Sequence, residues 1–305
     1  MPAIERLDGP RGARIYRLPM RVYTGLEANA YVVVDGAYQA LIDTGSGLPE
    51  SDEDLAAGFE ALRGDGVSWE SLDRIIVTHG HIDHYGGLDY LRARTQAPVA
   101  IHAYDRRVIE QPHEHHTAVG RELERFFAEA GLDPAQIGEA MALYHTPHQR
   151  VLGIPAEAVL ADGDLLDGRF QVVHAPGHCA GQVCLQLGDL LFSADHILPE
   201  TFPHLAPEST APWTGVAHYL AALDRVEALP GVRLTLPGHG APIADLAGRI
   251  AQLRTSHLRK LERVQAARAE ARTLVEITRL VYPRLRPYHA LLALEKVGAY
   301  IEYLG

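Results

Sequence analysis

Residues 78–87 read THGHIDHYGG and place four potential metal ligands, His79, His81, Asp83 and His84, within six positions. The run Ile75, Ile76, Val77 ahead of them has the apolar character of a buried strand. Gly86 and Gly87 after them let the chain turn tightly into a helix. The ligands therefore belong to a loop at a strand end, where a rigid scaffold can present them. His79 and His81 are two apart and point the same way if strand geometry persists. Asp83 and His84 follow the turn and can face a second ion. Imidazole suits zinc and iron, and a carboxylate adds a harder ligand.

Three later stretches repeat the pattern of a ligand at a strand end. His178 lies in HAPGHCAGQV after the strand-like QVVHA, Asp195 in DLLFSADHI, and His239 in LTLPGHGAPI. Together with the first stretch they resemble the HxHxDH signature of the metallo-β-lactamase superfamily. The resemblance implies an α/β fold, an αββα four-layer sandwich, over residues 1–245. It further implies that His79, His81 and His178 hold one metal, that Asp83, His84 and His239 hold another, and that Asp195 bridges them. Two zinc ions are the implied cofactors, with iron or manganese as alternatives. Asp43, at the end of the strand-like LIDTGS, supports the metal loop in this family rather than binding metal; a turn-capping aspartate is the plainer reading.

The expected chemistry follows from the charges. Two dications sharing one anion lower the pKa of a bound water from ~15.7 towards ~7, which makes a bridging hydroxide the nucleophile of a hydrolase. Asp83 can orient that hydroxide and then pass a proton to the leaving group. No G-x-S-x-G, P-loop or dinucleotide fingerprint competes with this reading.

The 305 residues are 47 % hydrophobic and 22 % charged, an ordinary globular composition with room for one large and one small domain. The net charge of -11 argues against a nucleic-acid surface overall, yet it is uneven: from Asp245 onward the balance is +5, and before it -16. Cys179 and Cys184 are too few for a disulfide scaffold. No stretch reaches membrane-spanning length and no secretory signal opens the chain, so a cytoplasmic protein with no membrane partner is expected. Cys179, beside His178, is a soft ligand or a reactive thiol on one reading and a small buried residue on the other.

Along the chain, strands are expected in three runs within 13–46 and at 98–104, 170–174, 183–187, 190–194 and 232–236, with Gly188 and Asp189 turning a hairpin. Helices are expected at 51–64, 117–131, 134–144, 216–228 and 246–271. Residues 105–160 carry two histidine groups, His113, His115 and His116 with Glu114, and His145 with His148. They suit an exposed helical insert, with a second metal site or a substrate-facing lid as the sharper alternatives. The proline-rich loop 199–214 follows Asp195 and should hang over the metals, with Phe202, His204 and Trp213 as candidate pocket walls. In the tail, Thr273 and Glu276 have capping-box spacing. Pro283 and Pro287 should end that helix, a further helix should close at Gly298, and AYIEYLG should be a short strand. Residues 246–305 thus resemble the small winged-helix-like tail of the β-lactamase-like protein 2 branch. A helical cap on the catalytic domain, or on a second subunit in a homodimer, is the other reading.

The first functional reading is a hydrolase of a small ester, thioester or lactone. A ribonuclease or phosphodiesterase is the alternative that the basic tail would support, although a surplus of arginine on a long helix more often marks a solvated face. An iron-dependent persulfide dioxygenase is a third reading, since the same ligands can hold iron.

Overall fold

The computed structural model describes residues 3–145, 152–284 and 287–305. Its elements form two sheets packed face to face, with helices on both outer faces. The first sheet begins with β1 (Glu5–Asp8), β2 (Arg14–Tyr23), β3 (Leu26–Asp35) and β4 (Tyr38–Ile42), all antiparallel neighbours. Three parallel strands complete it: β5 (Arg74–Ile76), β6 (Val99–His102) and β7 (Ala158–Leu160). The second sheet runs β12-β11-β10-β9-β8, made of β8 (Leu165–Leu166), β9 (Phe170–His174), β10 (Val183–Leu187), β11 (Leu190–Ala194) and β12 (Leu234–Pro237). Gly188 and Asp189 turn the hairpin between β10 and β11, and β12 joins β11 in parallel.

Alternation along the strands explains the layers, because successive side chains point to opposite faces. In β3, Tyr31 and Val33 face inward and meet Phe170, Phe192 and Leu236 of the second sheet. Ala28, Ala30, Val32 and Val34 face outward against α1 (Pro49–Leu62) and its Leu55 and Phe59. Both faces are buried, which is why these strands read as nearly continuous apolar runs. The second sheet turns Val173, Cys184 and Leu191 outward against α7 (Val216–Glu227), α8 (Leu246–Arg268), α9 (Leu274–Val281) and α10 (Pro287–Leu304).

The topology gathers strand ends on one edge. Strands β4, β5, β6 and β7 are mutually parallel, so their C-terminal ends coincide. In the second sheet β9 and β11 are both antiparallel to β10, and β12 is parallel to β11, so β9, β11 and β12 also end together. The amide of Val183 donates to the carbonyl of Thr78 at 3.0 Å, which ties the two edges to each other. Every loop singled out for its ligands leaves this edge.

Helical insert and tail lie together. The helices α5 (Pro112–Ala130) and α6 (Pro134–His145) pack Leu123, Phe127 and Met141 against Leu294 of α10. α5 begins at Pro112, earlier than the apolar spacing predicts, because proline is favoured in a first helical turn.

The tail departs from expectation at its end. Residues 299–304 are not a strand; α10 runs on through Gly298 to Leu304. Leu294, Val297 and Tyr300 are buried at helical spacing, and that period extends through the segment read as AYIEYLG. Gly298 does not close the helix. It sits against Phe126 and Pro207, where an added Cβ would come within 2.9 Å of each. Pro287 opens α10 rather than ending the helix before it, again a favoured place for proline. The described residues of 246–305 therefore form three helices without the wing strand of a winged-helix domain. The capping box of α9 is present, with the Thr273 side chain accepting from the Glu276 amide and the Glu276 side chain accepting from the Thr273 amide. No helix among the described residues is long and apolar enough to cross a membrane.

Candidate metal centre

Four loops from the shared edge deliver the expected ligands to one place. His79, His81, Asp83 and His84 come from the β5 loop and its short helix α2 (Ile82–Tyr85). His178 comes from the loop after β9, Asp195 directly follows β11, and His239 follows β12. One ligand atom from each of His79, His81 and His178 lies within 4.8 Å of the others, and the same holds for Asp83, His84 and His239. Asp195 stands between the groups. Its Oδ2 is 3.5 Å from His178 Nε2 and 3.4 Å from His239 Nε2, and its Oδ1 is 3.4 Å from His84 Nε2.

The backbone is shaped to make this possible. Ala194 has φ 44° and Asp43 φ 59°, left-handed conformations that non-glycine residues seldom adopt and that cluster at functional sites. Gly238 lies under the site: a Cβ there would come 2.4 Å from Asp195 Oδ1 and 2.8 Å from His84 Cε1.

The outward nitrogens of four histidines are fixed, which turns the other nitrogen inward. Nδ1 of His84 meets Asp43 Oδ2 at 2.8 Å, and Nδ1 of His79 meets Thr78 Oγ1 at 3.1 Å. Nδ1 of His178 donates to the carbonyl of His204 at 2.7 Å, and Nδ1 of His239 to that of Glu27 at 2.5 Å. Asp43 thus supports the metal loop. Asn29 steadies the His239 loop by donating to the carbonyls of Pro237 and Gly240, each at 2.9 Å.

The donor set fits metal binding. His84 Nε2, His178 Nε2 and Asp195 Oδ1 are buried and have no hydrogen-bond partner, a costly state that a metal would relieve. Burial holds His79 and His81 neutral, His81 down to about 3, as a metal ligand must be. Burial also opposes charge on His84 and His239, but the carboxylates of Asp195 and Asp83 outweigh it and lift His239 to about 10.

The family follows from this geometry and from one comparison. Residues 23–271 match the model of the metallo-beta-lactamase superfamily. The chain belongs to that superfamily. Among metallo-beta-lactamase superfamily proteins it is 26 % identical over 242 residues to the acyl-coenzyme A thioesterase MBLAC2 of Gallus gallus, covering 75 % of this chain and 79 % of that one. It is 26 % identical over 278 residues to the atrochrysone carboxyl ACP thioesterase of Aspergillus terreus, covering 90 % of this chain and 66 % of that one. The crystal structure of a beta-lactamase domain protein from Burkholderia ambifaria superimposes with a TM-score of 0.79 at 25 % identity, covering 98 % and 88 % of the two chains. The relatives of this metallo-beta-lactamase superfamily chain thus include named thioesterases.

Asp105 is a site residue that the sequence reading passed over. Its buried carboxylate accepts from the amide of Gly80 at 2.7 Å and the amide of Gly181 at 2.8 Å, joining the two loops that carry His79, His81 and His178. It lies three residues beyond the end of strand β6, as His79 lies three beyond the end of β5. Cys179 donates its thiol to Asp105 at 3.2 Å. Burial, reinforced by that carboxylate, pushes the thiol well up, and Cys179 joins no group of three potential ligands among the described residues.

The other singled-out residues scatter. His204 lends its carbonyl to His178 and its ring to Glu295. Phe202 lies beneath Arg249 and Lys260 of α8. Trp213 stacks on Tyr104 and remains 40 % exposed. On the insert, His116 Nε2 meets His145 Nδ1 at 2.7 Å and stacks on Tyr144. Neither His113, His115, His116 nor His145 joins a group of three potential ligands among the described residues. His148 lies outside those residues.

Proposed function

We propose that this chain is a binuclear metal-dependent thioesterase acting on a small or carrier-borne acyl thioester. The observation that carries the reading is the pair of three-ligand groups sharing the buried carboxylate of Asp195 at a single sandwich edge. The thioesterase names of two relatives narrow ester, thioester or lactone to thioester.

His79, His81 and His178 would hold one cation and Asp83, His84 and His239 the other, with Asp195 between them. Zinc suits these nitrogen and oxygen donors, and iron or manganese could replace it. Two such ions supply Lewis acidity for the thioester carbonyl and acidify a water towards neutral pKa. The chain's own part is positioning and proton handling. The fixed Nδ1 partners of His79, His84, His178 and His239 keep their rings from turning. The Asp83 side chain is 14 % exposed, so an oxygen can face the cleft, take a proton from the attacking water and return it to the leaving thiolate.

The test is a substrate panel on metal-analysed protein: an acyl-CoA, an acyl N-acetylcysteamine, a lactone, a phosphodiester and RNA. Thioester turnover that falls at least about 10²-fold in Asp83→Asn is the expected result. His81→Ala and Asp195→Ala should abolish it. Turnover confined to RNA with steep salt sensitivity would instead favour the nuclease reading.

A further inference from the structure

The family match ends at residue 271, yet α10 beyond it contacts the loop whose His204 carbonyl holds His178. Glu295, Gly298 and Glu302 follow helical spacing and share one face. All three meet the loop that follows Asp195. The Glu302 carboxylate accepts from the amides of Glu208 at 2.7 Å and Ser209 at 3.0 Å. Gly298 lets Pro207 lie against the helix backbone. Glu295 Oε2 is 2.8 Å from His204 Nε2, both side chains being largely buried.

His204 is where this grip touches the chemistry. Its carbonyl takes the Nδ1 proton of His178 at 2.7 Å, and that bond selects the tautomer whose Nε2 faces the site. The partners of His79 and His84 sit on strand-end residues, Thr78 and Asp43. The partner of His178 sits instead on a loop without regular structure, residues 201–206, so its position depends on what holds the loop. We infer that Glu295 is a positioning residue of the metal centre: through His204 it fixes the ring of His178, which makes α10 a working part of the site. The inference rests on the reading that His178 binds metal.

The experiment is zinc affinity of the full chain by competition with a chromophoric chelator, together with the visible spectrum of the cobalt-loaded protein. Glu295→Ala should weaken one of two bound ions about 10-fold and shift the cobalt bands. His204→Ala, which keeps the carbonyl but removes the ring, should do the same, and the double variant should be no worse than either single one. Glu295→Gln, whose amide oxygen can still accept from His204, should recover most of the affinity. Glu302 grips the same loop without touching His204, so Glu302→Ala should bind zinc as the parent does. The inference is overturned if Glu295→Ala binds both ions like the parent, if Glu302→Ala is equally weakened, or if Glu295→Gln falls as far as Glu295→Ala. Failure of the parent chain to bind zinc or cobalt would remove the ligand set itself, a different result from any of these.

Discussion

Asp43 Oδ2 lies 2.8 Å from Nδ1 of His84, while its Oδ1 takes the amide of Thr78 at 2.8 Å. One carboxylate from the end of β4 therefore orients the His84 ring and secures the start of the loop that carries it. Removing it as Asp43→Ala frees the His84 ring and leaves the Thr78 amide unpaired. Metal affinity is expected to fall about 10–100-fold, read by chelator competition. Asp43→Asn keeps the shape and should lose less; parent-like affinity in the alanine variant would contradict this role.

Gly238 offers a steric test. The methyl group of Gly238→Ala would press on Asp195 Oδ1 and His84 Cε1 together. Overpacking of this kind costs about 1–3 kcal/mol, so the protein should still fold. Displaced ligands should nevertheless cost about 10²-fold or more in turnover. Thermal unfolding and steady-state kinetics on one preparation would separate the two effects.

Asp105 predicts a stability phenotype. Asp105→Ala leaves the amides of Gly80 and Gly181 without acceptors in the interior. The expected destabilisation is about 2–4 kcal/mol in urea unfolding of the metal-free protein. An unchanged midpoint would mean that the two loops are held by other contacts.

The acid limb of stability should depend on Asp167. Bonds from Arg74 at 2.7 and 2.9 Å and from Tyr38 at 2.6 Å join the first sheet to the turn before β9. The Arg74 guanidinium, ahead of the opposing effect of burial, holds this carboxyl below its usual range. A lowered folded value means that the stabilisation is fully present above the unfolded value of about 3.9 and is lost as pH falls through the folded one. Asp167→Asn should cost about 1.5–3 kcal/mol at neutral pH. It should also flatten the fall in unfolding midpoint below pH ~4, and an acid limb identical to the parent's would exclude Asp167 as a contributor.

Much of the site was legible because its ligands obey a local rule. Each of His79, His178, Asp195 and His239 stands at or just beyond the end of an apolar run, and in parallel strands such ends coincide. The strands themselves announced their length through burial on both faces, and the boundaries of β9, β10 and β11 match the expected 170–174, 183–187 and 190–194. Asp105 obeyed the same rule and could have been found by it. Glu295 could not: a glutamate in the middle of a helix looks like any solvated charge.

The sequence by itself determined the ligand types, their order and the strand ends that carry them, because hydrophobic period and turn residues act over a few positions. Tertiary structure alone decided that Asp105 ties the loops carrying His79, His81 and His178. It also decided that the last helix reaches back to His178 through His204, and that residues 299–304 continue a helix instead of pairing as a strand. These outcomes depend on contacts between distant segments or on packing against them, as the contact of Glu295 with His204, 91 positions away, shows. No local pattern encodes such contacts, because the free energy that selects them comes from burying whole faces together.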